Sequence, residues 1–551
     1  MGLNTYKVPI DFHLNNRANV LSKFSQQRTS SNETSNSKNT KSIILMKGGT
    51  NPERNDTDHE PIFRQESYFH YLFGVKEPDY WGAIDVDSGR TVLFVPRLPK
   101  EYATIMGRIL SREEIAASYH VEECRYVDEL EQYILDLQSS SLSASKEVTD
   151  QPVELVVVYL MEGRNSDSGN LYEAPTSSLP ASLLDLSSST NININININI
   201  NMNTTTLFSI LAECRVIKSQ QELDLMRHVA ELSSEAHVEV MRRTKPGMTE
   251  WQLEALFRHH TYYYHGCRNI GYTPICACGP SSAVLHYGHA GAPNSRTILA
   301  NDMCLLDMGT EYHCYGSDIT CSFPADGLFD AKNQKIVYEG VLQAQKDVLE
   351  MLKPGVDWVE CHCAAERAIV KAMMLLGAVV LPPLDNTKNT TNNNDADRLE
   401  DAIHRRLGAV FMPHGLGHFI GIDTHDVGGY LLGHPPRSSL PGLKSLRTSR
   451  IMQRGMVVTV EPGCYFIDHL LDEALKDEVL SQYLVEDVLN NMRGSGGVRL
   501  EDVILITEEG CDNFTRCPRT VEEVEHVMAG GKWPPVKDQA PELKRSRLTA
   551  L

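Results

Sequence analysis

The chain has 551 residues, enough for two or three domains with a full core. Its 52 Lys+Arg against 72 Asp+Glu give a formal charge of -20, which argues against nucleic acid or an acidic membrane surface as partner, because both select for basic protein surface. No apolar run reaches the roughly 18–20 residues needed to cross a bilayer, since the best candidate, Val153 to Met161, is short and contains Glu154.

From the start of the chain, MGLNTYKVPIDFHL lacks a signal-peptide pattern and has Tyr6 where myristoylation wants Ser or Thr. Thirteen cysteines without a secretory signal read as reduced, mostly buried thiols, so the expected compartment is the cytoplasm. Residues 1–215 read as an N-terminal α/β domain. Ser42 to Met46, Trp81 to Val86 and Thr91 to Val95 are strand-like runs closed by turn residues, with helical segments at Arg112 to Ala117 and Asp128 to Leu137. The aromatic stretch Glu66 to Gly74 reads as packing. Between about 138 and 206 the composition falls to Ser, Asn and Thr around one strand-like island, Val153 to Met161. The Asn-Ile alternation from Asn191 to Asn201 is expected to be a mobile insertion.

A second domain is expected over 216–530. Ser219 with Glu222 and Thr249 with Gln252 are capping boxes, each opening a helix; the first carries Leu225, Val229, Leu232, Ala236 and Val240 at helical spacing. The pairs Cys276/Cys278 and Cys361/Cys363 lack zinc-ribbon spacing and read as structural. LHYGHAGAP holds His286 and His289, suited to a loop touching substrate or to two satisfied structural histidines. Met303 to Gly309 is a β-run carrying Asp307, and a returning strand from Glu311 to Phe323 carries Asp318. A carboxylate among apolar strand residues is costly unless paired or metal-bound, so two on one hairpin imply a shared cation.

Helices follow at Gln334 to Met351 and Val359 to Leu376, then an Asn-rich insertion near 386–397. The stretch Phe411 to Tyr430, FMPHGLGHFIGIDTHDVGGY, holds His414, His418 and His425, with Asp423 and Asp426. Apolar neighbours suggest partial burial, so these histidines need partners; a His-rich surface loop is the plainer alternative. The strand Gly455 to Val460 ends at Glu461, where Pro462 stops the ladder. Val498 to Ile506 reads as one strand, with Arg499 and Glu501 on one face opposite Leu500 and Asp502. Residues 531–551 are expected to be a disordered tail, with Lys544, Arg545 and Arg547 solvated.

Asp307, Asp318, Glu461 and Glu501 with His418 make a mostly oxygen donor set, suited to hard or borderline dications such as Mn²⁺. Four carboxylates nearly neutralise two dications, so the set suggests a dinuclear centre that turns water into a nucleophile for hydrolysis.

The order D-x(10)-D, HGLGH, HD, TVEPG and VRLED resembles the metallopeptidase family that contains prolidase, aminopeptidase P, methionine aminopeptidase and creatinase. FRQESYFH, TVLFVPRLP, LHYGHAGAPN, SDITCSFPA, SLRTSR and PRTVEE extend the likeness from near residue 60 to near 530, most strongly toward the prolidase branch. The resemblance implies an α/β (α+β) architecture: a C-terminal pita-bread catalytic domain with a smaller N-terminal α/β domain, usually homodimeric. It implies two Mn²⁺ per subunit (Co²⁺ or Zn²⁺ could occupy the same ligands) held by Asp307, Asp318, His418, Glu461 and Glu501, with Asp318 and Glu501 closest to both ions. Glu461 would double as proton shuttle, while His425 and His286 would face the substrate and stabilise its oxyanion. Arg447 would hold the substrate's C-terminal carboxylate. Tyr272 would line the substrate site, and His414, Arg499 and Thr320 would position the ligands. The implied reaction is hydrolysis of dipeptides with C-terminal proline. An aminopeptidase P-like action on longer peptides and a non-catalytic binding module are the alternatives.

Overall fold

The computed structural model describes residues 5–30, 40–142, 155–188, 199–383 and 394–549. Two units divide the chain: Val8–Arg215, and Met1–Lys7 with Val216–Leu551.

The N-terminal unit is built on six strands in the order Glu123–Tyr126, Thr91–Val95, Trp81–Asp85, Thr40–Lys47, Leu155–Tyr159 and Asn199–Asn203. Thr40–Lys47 pairs antiparallel with Trp81–Asp85 and parallel with Leu155–Tyr159. Ile43, Leu45, Ala83, Val92, Phe94, Val156 and Val158 form its core, as runs of β-branched and aromatic residues predict. The aromatic stretch becomes the helix Ser67–Phe73, buried at every position. Glu66 caps it by accepting the amides of Tyr68 and Phe69 at 3.1 and 2.7 Å, and Gly74 closes it at φ +67°.

The low-complexity stretch is more ordered than expected. Asn199–Asn203, the end of the Asn-Ile tract, is a parallel edge strand against Leu155–Tyr159 with Ile200 buried, and Ala181–Ser188 is helical. An edge strand has to bury one face and pair one side, which Ile-Asn alternation satisfies. Residues 189–198, most of the expected mobile tract, lie outside those described.

The C-terminal unit opens with the helix Gln220–Arg243. Ser219 accepts the Glu222 amide at 3.3 Å and Glu222 accepts the Ser219 amide at 2.8 Å, so the capping box forms as read. The helix Glu250–His265 follows, then three small antiparallel sheets that carry or flank the acids. Met303–Asp307 lies between Ile275–Cys278 and Thr320–Pro324, with Asp307 opposite Ile275 and Thr320. Val457–Val460 pairs with Asp502–Ile506, and Gly463–Tyr465 pairs with Gly497–Arg499. Gln334–Met351 and Trp358–Leu375, with the longer Gln220–Arg243, supply helical faces to this unit's large core. With these layers the α/β pita-bread expectation is met.

Two expectations fail here. Val498 to Ile506 is two strands, because the chain leaves one sheet at Arg499 and joins another at Asp502, with Leu500 and Glu501 in the step between. The region after 530 is packed: Leu543 and Leu548 are buried, and Arg545 is 4 % exposed, donating to Glu523 at 2.8 Å and Asp538 at 2.6 Å. Paired carboxylates turn a solvated-looking arginine into an anchor. The Asn-rich insertion falls largely on residues 384–393, outside those described; Asn394 then caps the helix Asp395–His404.

Candidate active site: a carboxylate cluster in one cavity

Four separate segments bring the acids together. Asp307 ends its strand, Asp318 sits in the break before Thr320–Pro324, Glu461 follows Val457–Val460, and Glu501 lies in the step between two strands. The histidine stretch reaches them by running alongside Val457–Val460. The Thr459 amide donates to the His418 carbonyl at 2.9 Å, and the Glu461 amide to the Leu416 carbonyl at 2.8 Å. That approach explains Gly417, where a Cβ would sit 2.0 Å from the Thr459 carbonyl oxygen.

One donor atom each from Asp307, Asp318 and Glu501 lies within 4.8 Å of the others, as do those of His418, Glu461 and Glu501, so Glu501 belongs to both triads. Asp318, His418 and His425 form a third. His418 Nε2 is 3.4 Å from Asp318 Oδ2 and 3.5 Å from Glu461 Oε1. Its Nδ1 is 2.9 Å from the Phe419 carbonyl, a bond that holds the ring with Nε2 turned toward the acids.

Around this cluster Tyr272 donates to Asp307 Oδ1 at 2.5 Å. Arg499 donates to Asp307 Oδ2 at 2.6 Å, to Thr320 Oγ1 at 3.0 Å and to the Tyr465 hydroxyl at 2.9 Å. Thr320 in turn donates to Glu501 Oε2 at 2.6 Å. Arg499 therefore pairs with Asp307 and reaches Glu501 through Thr320, which differs from a direct Arg499–Glu501 pair on one strand face. His414 joins through the Gly415 carbonyl at 2.8 Å and the Tyr465 hydroxyl at 3.0 Å. The sequence reading missed Tyr465. It follows TVEPG closely enough to have been suspected, yet nothing local marks its hydroxyl as the link between His414 and Arg499.

The electrostatics are those of a site short of positive charge. Burial and the neighbouring Asp318 push Asp307 up to about 7, despite Arg499 and Tyr272. Burial, then Asp318, Glu461 and Asp307, raise Glu501 well above the ordinary carboxylate value. Glu461 is raised by burial against the pull of His418 and Arg499. Asp318 goes the other way: burial raises it, but His418, Tyr272 and His425 outweigh that and hold it low. Asp318 Oδ1 is nonetheless buried without a hydrogen-bond partner. An orphaned carboxylate oxygen beside mutually repelling acids fits a divalent cation, which would accept the lone pair and balance the charge.

A cavity of about 490 Å³ opens onto the cluster. It is lined by Asp307, Asp318, His418, Glu461 and Glu501, and also by Tyr272, His286, His414, His425, Arg447 and Arg499. Every site residue read from the sequence except Thr320 therefore faces one space; Thr320 stands behind Glu501. The His425 ring meets His418 edge-on at 4.5 Å. Desolvation, then His418 and Arg447, lower its basicity, and desolvation, then Arg447 and Arg499, lower that of His286. Asp426, in the same stretch, takes no part: it accepts from buried Lys218 at 2.8 Å.

The model of metallopeptidase family M24 matches residues 224–508, and that of the aminopeptidase P N-terminal domain matches residues 13–144. A human Xaa-Pro dipeptidase is 46% identical over 89% of this chain and 89% of its own. The chain belongs to metallopeptidase family M24. A probable Xaa-Pro aminopeptidase of Talaromyces stipitatus is 32% identical over 86% of this chain and 90% of its own. Among solved structures, Pseudomonas aeruginosa aminopeptidase PepP superposes with a TM-score of 0.69 at 26% identity, covering 95% of this chain and 99% of that one. As an M24 metallopeptidase the chain is a metal-dependent hydrolase, with the acid cluster inside the matched segment. Among the described residues no helix is long and apolar enough to cross a membrane.

Proposed function

We propose that this chain is an Xaa-Pro dipeptidase with two Mn²⁺ held by Asp307, Asp318, His418, Glu461 and Glu501. The carrying observation is that these five donors, Arg447 and two poorly basic histidines line one cavity of about 490 Å³, within the ~300–1,000 Å³ of small-molecule sites. Oxygen-rich ligation favours Mn²⁺ over softer ions, and Glu501, which belongs to two donor triads, would be able to serve two neighbouring cations. When bound, the dications supply Lewis acidity and lower the pKa of water.

The chain's own groups do the rest. Arg447 binds the substrate's C-terminal carboxylate through its fork and so sets the length of peptide accepted. His286 and His425, neutral at working pH because of their lowered basicity, donate N–H bonds to the oxyanion that develops on the scissile carbonyl. Glu461 receives the proton of the attacking water and delivers it to the departing proline nitrogen. Arg499, Tyr272 and Thr320 hold Asp307 and Glu501 in place, and His414 steadies the Tyr465 hydroxyl. A cytoplasmic location belongs to this reading, supported by thirteen unpaired thiols. A homodimer belongs to it through the family resemblance.

Arg447→Ala is expected to raise the KM for Gly-Pro far more than it lowers bound metal; unchanged dipeptide kinetics would remove Arg447 from the site. The second reading, release of the N-terminal residue from longer Xaa-Pro peptides, is favoured by the likeness to aminopeptidase structures. Faster turnover of Gly-Pro-Ala than of Gly-Pro would establish it instead.

A further inference from the structure

Outside the cavity, a second group of potential ligands stands between the first two helices of the C-terminal unit. Glu235 projects from Gln220–Arg243, while His260 and His265 come from Glu250–His265, the latter being its last residue. One donor atom from each lies within 4.8 Å of the other two. His265 Nε2 is 3.2 Å and His260 Nε2 4.0 Å from the same oxygen, Glu235 Oε2. Both Nε2 atoms are shut off from solvent, and neither makes a hydrogen bond of proper geometry.

Two imidazole nitrogens converge on one carboxylate oxygen without a well-formed hydrogen bond, so their attraction to it is electrostatic only. They are well placed as ligands. In a tetrahedral site with bonds of about 2.0–2.1 Å the donor atoms stand roughly 3.3 Å apart; the His265 separation of 3.2 Å matches that edge, and the His260 separation of 4.0 Å would have to shorten to reach it. The Glu235 side chain is 55% exposed, so water can complete the fourth position. Tyr264 packs on the His260 ring at 4.9 Å and restricts its rotation. The donor set also differs from that of the cavity: two nitrogens and one oxygen suit a borderline ion, where four carboxylates and one histidine suit a harder one. None of the three residues lines the cavity.

We propose that Glu235, His260 and His265 bind one Zn²⁺-class dication with a water as fourth ligand, clipping the two helices together. The site is separate from the catalytic centre and does not depend on which peptide that centre cleaves.

The test uses the full chain loaded with Mn²⁺ and titrated with Zn²⁺ alone, total metal being counted by elemental analysis after dialysis. Wild type is expected to hold one dication per chain more than His260→Ala/His265→Ala. Equal totals would overturn the site. Glu235→Gln keeps the shape of the residue and guards against a misfolded double variant. It should weaken the additional Zn²⁺ uptake at least tenfold, and Zn²⁺ should raise the melting temperature of wild type but not of this variant. Equal Zn²⁺ affinity and an equal rise in both proteins would reject the proposal.

Discussion

Glu501 and Asp502 are neighbours in sequence, both almost wholly buried, and their surroundings are opposite. Asp502 is fully compensated: Arg519 donates to its Oδ1 from Nε at 3.0 Å and from Nη2 at 2.6 Å, and Asn513 donates to Oδ2 at 2.7 Å. Glu501 has one Thr320 hydroxyl and faces Asp318, Glu461 and Asp307, which raise its pKa. One acid has its counter-charge within the protein, and the other is opposed by three neighbouring carboxylates. A buried charge in an apolar strand therefore does not by itself mark a metal site. What distinguishes the two is whether the protein supplies the counter-charge.

The largest expected effect is on the chemistry. Glu461→Gln keeps the shape but removes the titrating oxygen, and kcat for Gly-Pro should fall by ~10²–10⁴-fold, the range for loss of a general acid–base. Retained kcat would assign proton transfer elsewhere. Stability separates the two acids next. Asp502→Asn leaves Arg519 buried without its counter-ion and should cost about 3–5 kcal/mol in urea unfolding. Glu501→Gln in metal-free protein should cost little, because it removes a charge that burial, Asp318, Glu461 and Asp307 all oppose; equal losses for both would abolish the distinction.

Metal removal acts on one side only. A chelator should lower the melting temperature of wild type, by the equivalent of about 2.7 kcal/mol when the ion had stood at 100 times its Kd, and should leave that of Asp318→Asn nearly unmoved. Arg499→Lys keeps a charge near Asp307 but loses the fork to Thr320 and Tyr465. Metal affinity or activity should drop by roughly 10–100-fold, as for other outer-shell partners.

The smallest effect sharpens the contrast with the exposed Glu235 group. His260 and then His265 hold the Glu235 carboxyl down to about 2. A depressed carboxylate stabilises the fold above its unfolded value and loses that contribution as pH falls through the folded one, here from about 4.5 toward 2. With the side chain half exposed, solvent screening keeps the effect below about 1 kcal/mol. His265→Ala should shift acid unfolding slightly to higher pH, and no shift would mean that the pair contributes nothing there.

Much of this was legible along the chain because it is local. Capping at Ser219, the helix Gln334–Met351 and the strand before Glu461 follow from periodicity and caps within a few residues. The five donors stood out as acids and one histidine in apolar surroundings, and motif order tied them together. The burial of Arg545 was not legible, because its partners Glu523 and Asp538 and the core beneath Leu543 come together only on folding. Nor was the edge strand Asn199–Asn203, whose ordering depends on a partner strand more than forty positions earlier.

By itself the sequence determined the capped helices and apolar strands that flank the acids, the acids and histidines that stand among apolar neighbours, and the family to which their order belongs. The tertiary structure alone decided how the charges are shared out. Asp307 meets Arg499 across 192 positions, Asp426 meets Lys218 across 208, and Asp502 takes Arg519 while its neighbour Glu501 does not. Hydrogen bonding and Coulomb attraction act over a few ångströms of space whatever the separation along the chain, so compensation of a buried charge exists only once the fold has closed.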